Sequence, residues 1–187
     1  AYAFCLYDTD NSIELDEEDY DANKIPAMNT SIKSITIPDG VEEIQKYAFY
    51  NCTSLEKVTL LKDSEGNSVP FIREYAFAGN KNLKEINLEE VDLIGKCAFL
   101  NCEKLTKADI TKVYAIGEAA FKNCTSLEYV DITQLRNAAK EVFINCTNLK
   151  TISNGRYTNF SECMFKNTGL TSLTYYADRI PNNCFEN

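Results

Sequence analysis

The sequence predicts an α/β repeat solenoid, and three observations carry that prediction. Phe77, Phe99, Phe121, Phe143 and Phe165 stand 22 residues apart, with Phe49 28 residues before the first and Phe185 20 residues after the last. The segments around them align: IQKYAFYNCTSLEKVTL (Ile44–Leu60), IGKCAFLNCEKLTKADI (Ile94–Ile110) and IGEAAFKNCTSLEYVDI (Ile116–Ile132). Each unit is too short to bury its own apolar side, so stacked neighbours must supply the core.

Within a unit, Ile44, Ala48, Phe49 and Cys52 fall at i, i+4, i+5 and i+8, which predicts a short helical turn. Leu55, Val58 and Leu60 follow, and the closing alternation predicts a short strand with one buried face. Carried to both ends, this spacing gives eight strands. Ile13 and Leu15 lie 22 residues before Ile35 and Ile37, and Tyr2-Ala3-Phe4 matches Tyr47-Ala48-Phe49. The chain opens and closes inside a repeat, so residues 1–187 are expected to form a single solenoid cut from a longer array. The interval from Leu60 to Ile72 is twice that from Ile110 to Ile116, and the excess falls in the polar stretch 62–68, a predicted loop. Ile25 to Ile32 is compressed, with the acidic stretch Asp16–Asp21 just before it. Asn154-Gly155, in place of an apolar strand end, favours a turn.

Composition narrows the function. The chain has no histidine, which removes His-based acid–base catalysis, Ser-His and Cys-His pairs and His-ligated metals. The net charge is −9, and residues 1–23 hold eight acids and no base, which leaves 20 acids against 19 bases elsewhere. Acidity argues against nucleic acid and anionic membranes as partners, and no run of about 18 apolar residues could cross a bilayer.

The six near-copies of AFxNCxxLxxxxI resemble the BspA-like class of leucine-rich repeats, over nearly the whole chain and best at Ile32–Leu60 and Ile94–Asn154. The resemblance implies a right-handed curved superhelix with a parallel concave β-sheet and short helical turns on the convex side. It also implies a cell-surface or extracellular, non-enzymatic protein, without cofactor, that binds a protein partner such as a host matrix or cell-surface protein.

Eight cysteines suggest a disulfide framework, but Cys52, Cys102, Cys124 and Cys146 share one repeat position. Stacked side chains that point the same way fit disulfide geometry poorly, so buried free thiols are expected. Cys97 and Cys163 are three rungs apart and should not pair; a ladder one rung apart is no zinc cluster. Asn51, Asn101, Asn123, Asn145 and Asn167 form a second row, expected to satisfy backbone groups where strand meets turn, with Asn80 taking over beside Gly79. Glycosylation triplets occur at Asn29, Asn51, Asn123, Asn145 and Asn159; Asn29 and Asn159 are the better acceptors in a eukaryotic source, because the other three belong to the repeat motif.

Function should lie on the outward side chains of the strands. Lys57, Glu85 and Lys107 alternate in sign down one row, as supporting cross-strand pairs do. The second row passes Asn87 and sets Asp109 beside Asp131, a repulsion that needs relief from Lys107, a cation or a basic group on a partner. With Tyr129 one row away, the candidate partner-binding set is Lys57, Glu85, Asn87, Lys107, Asp109, Tyr129 and Asp131. The alternatives are a solvated face on a structural spacer or assembly module, and, more remotely, glycan binding or hydrolysis at the Asp109/Asp131 pair. Glycoside hydrolysis requires a raised carboxyl in a substrate-sized cleft, which an open ladder does not supply. Asp8-Thr9-Asp10-Asn11-Ser12 starts like a calcium loop, but Ile13 stands where that loop needs glycine.

Overall fold

The computed structural model describes residues 30–155, 158–174, 176 and 179–186. The first expected strand, the acidic block, Cys5 and Asn29 lie outside the described residues. The rest forms a parallel-strand solenoid of about six turns. Ten strands follow in order: β1 (Ser34–Ile37), β2 (Glu43–Ile44), β3 (Lys57–Leu60), β4 (Phe71–Ile72), β5 (Glu85–Ile86), β6 (Leu93–Ile94), β7 (Ala115–Ile116), β8 (Tyr129–Ile132), β9 (Asn137–Ala138) and β10 (Thr151–Asn154).

The strands fall in two rows. The predicted row contains β1-β3-β5 as one sheet and β8-β10 as another, every pair parallel and in the register the repeat sets, Lys57 opposite Ser34 and Glu85. Two expected strands, at 107–110 and 172–174, do not form. The second row, β2-β4-β6-β7-β9, is a five-stranded parallel sheet of two-residue strands that the helical reading did not anticipate.

The helical turns are the main correction: no helix forms among the described residues. A helix needs each N–H to donate four residues back. Here the N–H groups of Tyr47, Phe49 and Asn51 donate instead to Glu74, Ala76 and Ala78 of the next rung, at 3.1, 2.8 and 2.7 Å. Every second residue thus bonds across rungs, and the corner turns through left-handed backbone at its two ends. Asn51, Asn101, Asn123, Asn145 and Asn167 adopt φ between 51° and 63°, and Gly79 takes φ 79° at the equivalent place. Asparagine and glycine tolerate that conformation best, which explains the asparagine row better than backbone satisfaction does. Their side chains form a ladder of their own: Asn123 donates to Asn101 at 2.6 Å, Asn145 to Asn123 at 2.8 Å and Asn167 to Asn145 at 2.9 Å.

Inside the coil, Phe49, Phe77, Phe99, Phe121, Phe143, Phe165 and Phe185 stack in one column, with centroids 5.1–5.7 Å apart and rings within 15° of parallel. The cysteine position lies beside it. Cys102, Cys124 and Cys146 donate their thiols to the carbonyls of Phe77, Phe99 and Phe121, each in the preceding rung, at 3.1–3.2 Å. Asn80 makes the equivalent bond to Phe49 at 2.8 Å, so its expected backbone role holds in the cysteine row. All seven described cysteines are free, and Cys97 and Cys163 are not paired.

The predicted 62–68 loop forms around Asp63, whose carboxylate accepts from the N–H groups of Glu65 and Asn67 at 2.8 and 2.9 Å and is held below its ordinary range chiefly by the Asn67 amide. Close rung approach explains one glycine. A Cβ on Gly117 would lie 2.4 Å from the Lys96 nitrogen and 2.6 Å from the Gly95 carbonyl carbon, both backbone atoms. Gly117→Ala, which elsewhere would stabilise by about 0.4–1 kcal/mol through the unfolded chain, should here cost about 1–3 kcal/mol of overpacking. A urea midpoint at or above wild type would refute that contact.

Candidate interaction site

The outward side chains of the longer strands do not behave alike. Lys57 and Glu85 form the expected cross-strand pair at 3.0 Å, with both side chains more than half exposed. Such a pair contributes little, on the order of 0–1 kcal/mol. Lys84 and Glu56 pair similarly at 2.6 Å. Glu90 is gripped by Lys62 at 3.1 Å and by Lys112, and the two lysines, Lys112 foremost, hold its carboxyl below the ordinary range.

Asn87 turns out to be structural. Its amide oxygen accepts from the Leu60 N–H at 2.7 Å and its amide nitrogen donates to the Leu60 carbonyl at 2.9 Å. The side chain thereby takes both bonds that a continuing backbone would have made, and β5 stops at Ile86.

Beyond that stop the row opens. Residues 107–110 pair with neither β5 nor β8, while β6, β7 and β9 remain joined on the other side of the coil. A groove of about 380 Å³ lies at the opening, between the 106–111 rung and the 128–131 rung. It is lined by Thr106, Lys107, Ala108, Asp109, Thr111, Glu128, Tyr129 and Asp131. Four of the seven sequence candidates, Lys107, Asp109, Tyr129 and Asp131, therefore come together; Lys57, Glu85 and Asn87 lie outside it.

The two aspartates are arranged alike because each begins the triplet Asp-Ile-Thr. Asp109 accepts from the Thr111 hydroxyl at 2.8 Å and the Thr111 N–H at 3.3 Å; Asp131 accepts from the Thr133 N–H at 2.9 Å. These are local turns that aspartate favours. They fix the carboxylates without neutralising them, and Lys107 does not form the relieving ion pair proposed from the sequence. Tyr129, 46% exposed, is steadied by its hydroxyl, 2.9 Å from Ser153 Oγ and 3.4 Å from Asp131 Oδ2. Glu128, Thr106 and Thr111 were missed from sequence; only Glu128 carried a signal, a charge next to the row's one tyrosine. No cluster of three or more potential metal-ligating side chains occurs among the described residues.

The comparisons agree with this architecture. No curated protein matches the sequence. A leucine-rich-repeat protein of Treponema pallidum shares 27% identity and a TM-score of 0.65, over 72% of this chain and 64% of that one. A leucine-rich cell surface protein of Faecalibacterium prausnitzii shares 28% identity and a TM-score of 0.57, over 66% of this chain and 32% of that one. A leucine-rich-repeat protein of Bacteroides ovatus, at 23% identity and a TM-score of 0.53 over 74% of this chain and 42% of that one, supports the fold alone. The chain thus spans less than two thirds of each of these solved chains. The family model for the BspA type leucine rich repeat region, in six copies, matches residues 27–134 and 70–187. With the phenylalanine column, the asparagine corners and the parallel rungs, that match places the chain in the BspA-type leucine-rich-repeat family.

Proposed function

We propose that the protein recognises a protein partner, without chemistry, through the face of its longer strands, and that this occurs in adhesion at a cell surface. In this reading that face is the concave one. The observation that carries the proposal is the groove of about 380 Å³ in which Lys107, Asp109, Tyr129 and Asp131 meet on the otherwise regular face. Partly exposed tyrosine is a favoured interface residue, and a rigid repeat scaffold holds it in place with little ordering cost on binding. The name of the F. prausnitzii neighbour supports surface location. A hydrolase is disfavoured because the two aspartates line an open groove and neither sits in an enclosed cleft.

Immobilised wild-type protein should capture a partner from a panel of purified matrix and cell-surface proteins. The variant Asp109→Ala/Tyr129→Ala/Asp131→Ala, checked for wild-type circular dichroism, should lose that capture by a factor of ten or more, the scale of one hot-spot residue (about 2 kcal/mol). Equal capture by both proteins would move the site elsewhere, and capture by neither would favour a structural spacer.

A further inference from the structure

Resting on that reading, we infer that the groove between the 106–111 and 128–131 rungs binds an arginine side chain of the partner, its guanidinium lying against Tyr129 and bridging Asp109 and Asp131. Three independent features converge there.

The first is the broken ladder. Thr106 still joins its rung to both neighbours, donating its N–H to the Lys84 carbonyl and accepting from the Glu128 N–H, each at 3.4 Å. Past it β5 pairs only with β3 and β8 only with β10, so residues 107–110 leave an unpaired edge on either side. The second row of strands passes the same level intact, which confines the opening to this face. An extended segment of a partner finds backbone groups here that the rest of the face has already used.

The second is the charge pattern. Elsewhere on the face, Glu56, Glu85 and Glu90 each have a lysine within 3.1 Å. At the groove none of Asp109, Glu128 and Asp131 forms an ion pair as close as these; Lys107 is the lone positive group lining it, and Lys62 acts on Asp109 from outside the lining. The surplus is negative and oriented, since Thr111 and Thr133 fix the two aspartates.

The third is Tyr129. Its hydroxyl bonds to Ser153, which steadies the exposed ring beside the carboxylates. A cation over such a ring gains by about 0.5–1 kcal/mol at exposed sites. A planar guanidinium with five donors can bond two carboxylates and still stack on an aromatic face, whereas a lysine ammonium is a compact point charge.

The test uses the whole chain and two probe peptides, acetyl-Gly-Arg-Gly-amide and the same peptide with uncharged citrulline for arginine, titrated into 15N-labelled protein. At concentrations on the order of 10 mM, the arginine peptide should shift the amides of 107–111 and 129–131 and leave those of 57–60 in place. The citrulline peptide should bind about tenfold more weakly, as should the arginine peptide to Asp109→Asn/Asp131→Asn, consistent with a lost charge-assisted bond. Asparagine keeps the oxygen that accepts from Thr111 and Thr133, so this variant retains the turns and loses only the charge. Equal shifts by both peptides, or none at the groove, would overturn the inference. If the partner captured above is lost with Tyr129→Ala but kept by Asp109→Asn/Asp131→Asn at high salt, recognition at the groove stands and the arginine assignment fails.

Discussion

Phe121→Ala is expected to cost about 3–5 kcal/mol, the range for emptying a buried aromatic site. Phe121 is fully buried and stacks on Phe99 at 5.1 Å and on Phe143 at 5.5 Å. Its neighbours cannot collapse into the space, because every rung is fixed to the next by backbone bonds such as Phe121 N–H to Val142 O at 2.9 Å. In a solenoid each rung contacts only its neighbours, so stability is close to a sum of rung and interface contributions. Loss of one ring weakens two interfaces at once. Phe185, half-buried, should be less sensitive, losing about half as much on truncation. Urea unfolding followed by circular dichroism reads both variants. A loss below about 1 kcal/mol for Phe121→Ala would show that the column is not the core's main support.

The second large effect is alkaline unfolding driven by the thiols. Burial pushes Cys102 and Cys124 well above the ordinary value of 9.0, Cys146 to about 12 and Cys184 to about 11. In the unfolded chain these groups ionise near 9, so between that value and their folded values the native state holds protons that the unfolded state has lost. By linkage the stability they contribute is complete below pH 9 and is lost as pH rises through the folded values. The urea midpoint should stay level up to pH 9 and then fall steadily. Cys102→Ala/Cys124→Ala/Cys146→Ala should start lower, from lost packing, and decline less steeply; the difference in slope isolates the thiols from titrating lysines and tyrosines. Thiol reagents should leave these three cysteines unmodified in native protein and label them in urea. Labelling at the native rate of a free thiol, or parallel slopes, would refute burial as the cause.

The legibility of the molecule differed between its parts for physical reasons. The strand at Lys57–Leu60 was readable because a strand alternates inward and outward residues, and Val58 and Leu60 show that alternation directly. The corner at 45–51 was misread because Ile44, Ala48, Phe49 and Cys52 all face inward at intervals that a helix would also give. Nothing in those intervals reports that alternate N–H groups bond to the next rung. The asparagine row was seen and given a hydrogen-bonding role, but its left-handed backbone was not seen, since φ has no sequence signature beyond the tolerance of Asn and Gly, which Gly79 hinted at. In the site, the outward direction of Asp109, Tyr129 and Asp131 followed from period two alone. That Asn87 points back onto Leu60 did not follow, because an amide can serve solvent, partner or backbone equally well.

The sequence by itself determined the repeat length, the phenylalanine column, the free-thiol row and the register of the longer strands, because all four follow from identical residues recurring at a fixed interval in identical surroundings. Only the tertiary structure decided where that regularity fails. The choice of Asn87 to pair with Leu60 is settled by competition between side-chain and backbone hydrogen bonds across neighbouring rungs, and the parting of residues 107–110 from β5 and β8 is likewise a matter of how rungs meet. That competition depends on separations of tenths of an ångström, which the order of residues does not encode.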